Sequence, residues 1–331
     1  MTESLAFLIV TFVIMIAFEA VNGWTDAPNS IATVVSTRVM PPFAAVSMAA
    51  VLNLVGALSG TAVAVTVGKG VVNIDSGIGL QTVAAGCLAV VCWSGLTAYW
   101  RIPTSESHGL VAGLAGAAVQ QVGFDALIWH GWQKVFSGMG LSLLFGFGAA
   151  FAIVLMVLWL FRNASPSGVR RNFGHAQIIS SAFMAWSHGT SDGQKAIGAM
   201  ALALALYDKT PAKDFSVPLW VILLAAVTMG VSTMAGGWRI MKTLGTGITH
   251  LETYQGFGAE TAAAATLAIT ARFGIPVSTT HTIGSAIMGA GATRRLSAVR
   301  WGIAYNIVLA WVSTFPICFG LGYLFSAVIP S

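Results

Sequence analysis

Twelve apolar runs take up most of this chain, at 5–22, 26–37, 43–66, 79–99, 108–121, 138–161, 172–187, 192–206, 217–236, 257–271, 281–292 and 300–327, and several are too short to cross a bilayer. A spanning helix needs about 20 apolar residues. The short runs come in pairs, separated by polar or Pro/Gly-containing breaks. Such breaks are tolerated at membrane depth only where the backbone lines a cavity enclosed by protein. The pattern predicts an all-α polytopic membrane protein whose broken segments surround a site. Composition agrees: 8% of the residues are charged and 56% hydrophobic, against about 25% charged in a soluble domain. A cytosolic globular protein, a disordered chain and a nucleic-acid binder are excluded, and the lipid bilayer is the expected surrounding. The 37 glycines suit close helix packing in lipid.

Taking the pairs as units gives an interrupted crossing over 5–37 and a hairpin over 79–99 and 108–121 with its tip at Arg101–Ser107. A second interrupted crossing covers 172–206, and a second hairpin, 257–271 with 281–292, has its tip at Gly274–Thr280. One side then holds nine basic residues: Arg38, Arg162, Arg170, Arg171, Arg239, Lys242, Arg294, Arg295 and Arg300. The other holds four, Lys69, Lys134, Lys209 and Lys213. The positive-inside rule places the richer side in the cytoplasm and both termini outside. The start of the chain, with Glu3 and no basic residue, lacks the positive n-region of a signal peptide, so the first run is expected to be a retained helix. Cys87, Cys92 and Cys318 lie in apolar runs without metal-like spacing and read as buried packing residues. Trp100, Trp129, Trp132, Trp220 and Trp301 read as interfacial anchors.

Each half reads in the same order: broken crossing, crossing, re-entrant hairpin, crossing. An odd number of crossings inverts the second half relative to the first, with the halves at 1–162 and 172–331 and a cytoplasmic linker at 163–171. The residues repeat independently. Asn22-Gly23-Trp24-Thr25-Asp26-Ala27-Pro28-Asn29 parallels His188-Gly189-Thr190-Ser191-Asp192-Gly193-Gln194-Lys195. Ile102-Pro103-Thr104-Ser105-Glu106-Ser107-His108 parallels Ile275-Pro276-Val277-Ser278-Thr279-Thr280-His281. Inverted repeats with interrupted helices at matched positions point to a secondary transporter whose site lies between the halves.

The chemistry of the breaks supports that reading. Ser105, Ser107, Ser278, Thr279 and Thr280 precede apolar helices that begin near His108 and His281. A helix N-terminus offers unpaired N–H groups and positive partial charge to an oxyanion. The same hydroxyls also suit ordinary N-caps. His108 and His281 would donate to the anion, relay a proton or fix the tips. Asp26 and Asp192 are costly at membrane depth, which marks them as functional. Carboxylates repel anions, so their natural role is to hold a co-transported cation, a proton or sodium, or to cap a helix. Hard cations prefer oxygen ligands, and Asn22, Thr25, Asn29, Ser191 and Gln194 supply neutral ones. Lys195 aligns with Asn29 one turn beyond Asp192, where an ion pair is expected and anion contact is the lesser alternative. Gln194 and Lys195 complete the substrate set. Glu19 and Glu260 have no matched partners. Gly189-Thr190-Ser191-Asp192-Gly193 also fits the G-x-S-x-G nucleophile elbow, which would make an intramembrane serine hydrolase with His188 or His281. An elbow needs a strand-to-helix turn, and the duplicated segment with Thr25 has no place in a hydrolase.

Over essentially its whole length the sequence resembles the inorganic phosphate transporter (Pit) family, bacterial low-affinity type. The matching segments are NGWTDAPNSIATVVSTR (22–38), IPTSESHGLVAGLAG (102–116), WSHGTSDGQKAIG (186–198), GGWRIMKTLG (236–245) and IPVSTTHTIGSAIMG (275–289). Thr25 and Ser191 stand where the duplicated G-x-N-D signature has Asn. The resemblance implies that Asp26 and Asp192 serve coupled transport, that Ser105, Ser107, Ser278, Thr279 and Thr280 face the anion, and that a homodimer in the inner membrane moves its hairpins in elevator fashion. It implies no enzyme activity and no cofactor beyond the coupling ion. Sodium-coupled relatives carry Glu in the second crossing where this chain has Asn53, which favours the proton. Some relatives carry phosphate as a neutral metal complex. A sulfate permease on the same scaffold and a passive anion channel are the competing readings.

Overall fold

Pro28 is the residue that should stop the first helix, yet the helix passes through it. The computed structural model describes residues 4–329, so Glu3 and the two chain ends lie outside the described residues. Helix α1 runs unbroken over Leu5–Ser36, with Ser4 as its cap accepting from the Phe7 amide at 3.1 Å. Thirty-two residues at 1.5 Å each give about 48 Å. The bent pair α2 (Pro42–Ala57) and α3 (Ala62–Gly70) follows, then α4 (Leu80–Tyr99), α5 (Glu106–Val122) and α6 (Trp129–Leu160). The second half holds α7 (Pro166–His188), a π-helical turn at Gly189–Gly193 and α8 (Gln194–Tyr207) as one continuous rod. Helix α9 (Leu219–Thr233) bends into α10 (Trp238–Lys242), and α11 (Thr253–Arg272), α12 (Thr279–Ala292) and α13 (Trp301–Val328) complete the chain. Besides helix, the described residues contain one isolated β-bridge, Val72 with Leu127.

Among the described residues, helices α1, α4, α6 and α13 are each long and apolar enough to cross a membrane, and the number rises to six when each bent pair is taken as one span. Exposed Leu5, Ile9, Val10 and Val13 on α1, Leu143, Leu144 and Phe145 on α6, and Tyr305, Leu309 and Val312 on α13 form the apolar outer surface. Trp100, Trp129, Trp220 and Trp301 are exposed, but Trp132 is buried against Phe136. The three cysteines are free thiols, and Cys92, unlike Cys87 and Cys318, is exposed.

The interruptions fall elsewhere than the apolar runs suggested. No break occurs near Gly23–Asp26, and the expected break in 172–206 is a π turn that keeps the rod continuous. The sharp bends, 67° between α2 and α3 and 59° between α9 and α10, lie inside the runs 43–66 and 217–236, which read as plain crossings. The reason is local. Gly236 and Gly237 adopt φ of +79° and +51°, a left-handed conformation that ends α9. At the first bend the α3 amide of Val63 is held by Gln194 Oε1 at 2.8 Å. Helix α7 also begins at Pro166, within the segment expected to be linker.

The packing of the halves is exchange-symmetric. Helix α5 lies on α13 as α12 lies on α6; α4 meets α1 as α11 meets α7; α9 meets α1 as α2 meets α7. Matched glycines permit the last of these contacts. A Cβ on Gly23 would stand 2.0 Å from Ser232 Oγ, and one on its counterpart Gly189 would stand 2.2 Å from the Asn53 carbonyl oxygen. Two apolar clusters result. One gathers Leu80, Leu110, Leu114, Ile197 and Met200, and the other Leu267, Ile283, Ile287, Met184 and Leu244. The two hairpin tips, α1 and the π turn meet between them.

Candidate functional site

Each tip is made the same way. Ser105 Oγ accepts from the His108 amide and Ser278 Oγ from the His281 amide, both at 3.2 Å. These two serines are N-caps, and their hydroxyl oxygens are already engaged with backbone. The next residues reach outward. Thr279 Oγ1 lies 2.6 Å from Asp192 Oδ2 and 3.3 Å from Asp26 Oδ2, and Thr280 Oγ1 donates to Asp26 Oδ1 at 3.1 Å. Ser107, the counterpart of Thr280, approaches Asp192 Oδ1 at 3.5 Å. The second tip thus touches both aspartates, and the contact of each aspartate with the opposite tip is repeated across the pseudo-symmetry. Asn29 Nδ2 donates to Thr280 Oγ1 at 2.9 Å and to Thr279 Oγ1 at 3.2 Å.

Charge is distributed unevenly over this frame. The Lys195 ammonium donates to Asp192 Oδ1, to Ser107 Oγ and, at 2.6 Å, to the Val277 carbonyl. Asp192 also faces His188 Nε2 at 3.2 Å, while Asp26 lies 3.9 Å from that nitrogen. The other ring nitrogen, His188 Nδ1, lies 3.0 Å from Asn53 Oδ1, and Asn53 Nδ2 donates to Thr233 Oγ1 at 3.0 Å. Because an amide oxygen only accepts, Nδ1 carries a hydrogen. Asp26, His188 and Asp192 bring one ligand atom each within 4.8 Å of one another, the one such group of three among the described residues. Their donor set, two carboxylates and an imidazole with hydroxyls alongside, suits a cation.

Two residues at the meeting point of the tips lie outside the set of site residues expected from the sequence. His188 entered the sequence reading as the counterpart of Asn22 and as a partner for Ser191 in the hydrolase alternative, not as a neighbour of the two aspartates. Glu106, the counterpart of Thr279, is buried at the first position of α5, and its Oε1 lies 2.9 Å from Thr25 Oγ1. Thr25 Oγ1 is also 2.7 Å from the Val21 carbonyl. One hydroxyl hydrogen serves only one acceptor, so both contacts are complete when Glu106 itself carries a hydrogen. Its Oε2 has no partner among the described residues. The site therefore holds a third carboxyl group that the motif match did not weigh.

Several expected residues sit differently. Gln194 turns away from the tips to cap α3. His108 and His281 stack edge-on at 4.6 Å, against Phe315 and Trp311, and their ring nitrogens have no partner among the described residues. They pack the tips together instead of touching the aspartates. Asn22 donates to Glu19 Oε2 at 3.0 Å, one turn from Asp26, and Asn22 Oδ1 is buried with no partner among the described residues. Ser191 Oγ is also buried without a partner, so no Ser–His pair forms and the hydrolase geometry is absent among the described residues. Glu260 lies apart, accepting from Ser180 at 2.5 Å, Gln177 at 3.3 Å and Thr33, and ties α11 to α1 and α7.

Comparison with known proteins agrees with this architecture. The chain is 43% identical over 320 residues to the "Probable low-affinity inorganic phosphate transporter" of Rhizobium meliloti (strain 1021), covering 96% of this chain and 95% of that one. It is 38% identical over 322 residues to the protein of the same description from Bacillus subtilis (strain 168), covering 95% and 96%. A solved structure described as "The sodium-dependent phosphate transporter" superposes with a TM-score of 0.88 over 98% of this chain and 99% of that chain, at 22% identity, and so shares the fold. Transporters of this kind are not enzymes, which disposes of the serine hydrolase, and the apolar helices make the chain a multi-pass membrane protein. Residues 22–169 and 161–322 match the Phosphate transporter family, and the chain belongs to that family.

Proposed function

We propose that the chain imports inorganic phosphate by cation symport across the inner membrane, with both termini outside, as a homodimer. The observation that carries the reading is the meeting of two helix-capping hydroxyl tips with two buried aspartates. Thr279 touches both carboxylates, and Thr280 and Ser107 each touch one. Hydroxyls and the N-termini of α5 and α12 suit an oxyanion. The carboxylates, which repel an anion, suit the cation that accompanies it, a proton or sodium. Asn22, Thr25, Asn29 and Ser191 lie on the same two rods as Asp26 and Asp192, and the unpartnered oxygens of Asn22, Asn29 and Ser191 are free to serve the cation.

Each half has an odd number of crossings when the hairpins return to their own side, so the exchange-symmetric packing corresponds to an inverted repeat. Movement of the hairpins against α6 and α13 would then expose the tips to either face, elevator fashion. Carboxylate acceptors beside the anion favour phosphate, which can donate a hydrogen bond, over sulfate, which only accepts. The test is radiolabelled phosphate uptake into proteoliposomes with excess sulfate as competitor. Phosphate uptake that ignores sulfate supports the reading. Uptake blocked by sulfate moves the chain to sulfate transport, and equilibration without accumulation under every imposed gradient makes it a channel.

A further inference from the structure

We propose that Lys195 is a tethered cation, its ammonium filling in the second half the place that a co-transported cation takes beside Asp26 in the first. The protein then carries one coupling cation where a fully duplicated site would carry two. This rests on the cation-symport reading and goes further, because it fixes how many cations move and which aspartate receives them.

The repeat supplies the comparison. With Asp26 set on Asp192, Lys195 falls on Asn29; with Pro103 set on Pro276, Ser107 falls on Thr280 and Val277 on Thr104. The Lys195 ammonium is surrounded by a carboxylate oxygen of Asp192, the Ser107 hydroxyl and the Val277 carbonyl. Those are the oxygen types that hard cations take, and they come from the π turn and from both hairpin tips. In the first half the corresponding groups are Asp26, the Thr280 hydroxyl at 3.1 Å from it, and the Thr104 carbonyl. There the Lys position is Asn29, a neutral residue whose Oδ1 is buried and has no partner among the described residues. Among the described residues, the basic side chain within 4 Å of Asp26 is the His188 imidazole, at 3.9 Å and shared with Asp192. A carboxylate and a tip hydroxyl thus meet in both halves, and in the second an ammonium of the chain itself joins them.

A lysine three residues from its aspartate travels with the π turn, so its charge remains with the protein when the site opens. It also ties both tips to α8, as a bound cation would, in every transport cycle. The first half depends on an exchangeable cation for the same closure, which gives that cation its coupling role.

The experiment uses the purified full-length protein, with equilibrium binding of radiolabelled sodium and thermal melting in sodium chloride against choline chloride. Wild type is expected to bind no more than one sodium per chain. Lys195→Asn, which copies Asn29, is expected to bind one sodium more than wild type. It should melt several degrees lower in choline and recover in sodium, as a ligand that binds only the folded state requires. Adding Asp192→Asn to that variant should abolish the extra sodium. Two sodium ions per wild-type chain, or no additional sodium in Lys195→Asn, overturns the proposal. If Lys195→Asn does not fold, Lys195→Gln and the wild-type stoichiometry decide. A wild type that accumulates phosphate under no gradient defeats the symport reading instead, a result that the binding stoichiometry does not produce.

Discussion

Asp26 and Asp192 are equivalent in the repeat but not in their surroundings, so neutralising them should have different structural costs. Asp192→Asn removes the counter-charge of a buried ammonium. Lys195 would keep neutral oxygens alone, from Ser107, Val277 and the new amide, and His188 Nε2 would face an amide in place of the carboxylate at 3.2 Å. Breaking a buried ion pair from one side costs about 3–5 kcal/mol. Asp26→Asn leaves no lysine behind. It weakens the hydroxyl contact from Thr280 at 3.1 Å, worth about 1.5–3 kcal/mol at most, and spares Thr279, whose one hydrogen serves Asp192 at 2.6 Å. Both variants should lose driven uptake, but Asp192→Asn should be destabilised about 2 kcal/mol more. Asp192→Asn with Lys195→Asn removes both charges and should recover most of that difference without recovering transport. The assay is a double-mutant cycle on denaturation of the detergent-solubilised protein, with uptake measured on the same preparations. Equal destabilisation by the two single variants, or a double variant no more stable than Asp192→Asn, would refute the reasoning.

Other expectations follow from the same geometry. Glu106→Gln imitates the neutral carboxyl that completes the Thr25 contact, so its melting midpoint should stay near wild type, whereas Glu106→Leu should melt lower. Thr279→Val keeps the shape of the tip but removes the 2.6 Å bond to Asp192, and phosphate uptake should fall roughly tenfold or more, as loss of a charged hydrogen bond implies; uptake within twofold of wild type would contradict it. Gly189→Val cannot be accommodated 2.2 Å from the Asn53 carbonyl, so the α2 contact must open and folded yield on size-exclusion chromatography should drop. Glu260→Gln retains the contacts from Ser180 and Gln177 in part and should lower thermal stability more than it changes the preference for phosphate over sulfate.

The parts of this protein written in matched residues were legible from the sequence. The tips, the hairpins and the pairing of Asp26 with Asp192 rest on repeated Ile-Pro and Ser/Thr-His positions, which cap helices in both copies. The bends were not legible, because Pro28 and the Asp residues carry strong turn signals while Gly236 and Gly237 sit at the end of an apolar run. A proline is tolerated mid-helix in a membrane when neighbouring elements close around it, and a Cβ on Gly237 would lie 2.5 Å from the Trp24 carbonyl and 2.7 Å from Pro28 Cδ. Glu106 was missed for the opposite reason: it breaks the match with Thr279, and the eye follows identities. Gln194 was misplaced because polarity beside Asp192 does not reveal which side of a rod a residue occupies.

The central claim is that the two aspartates couple a cation gradient to phosphate movement through the tips. Its most direct measurement is phosphate accumulation in proteoliposomes with proton and sodium gradients imposed separately, for wild type and Asp26→Asn. The account predicts accumulation above equilibrium by wild type under at least one gradient and none by the variant, which remains folded. Undiminished accumulation by Asp26→Asn, or wild-type uptake that no gradient drives, would contradict it.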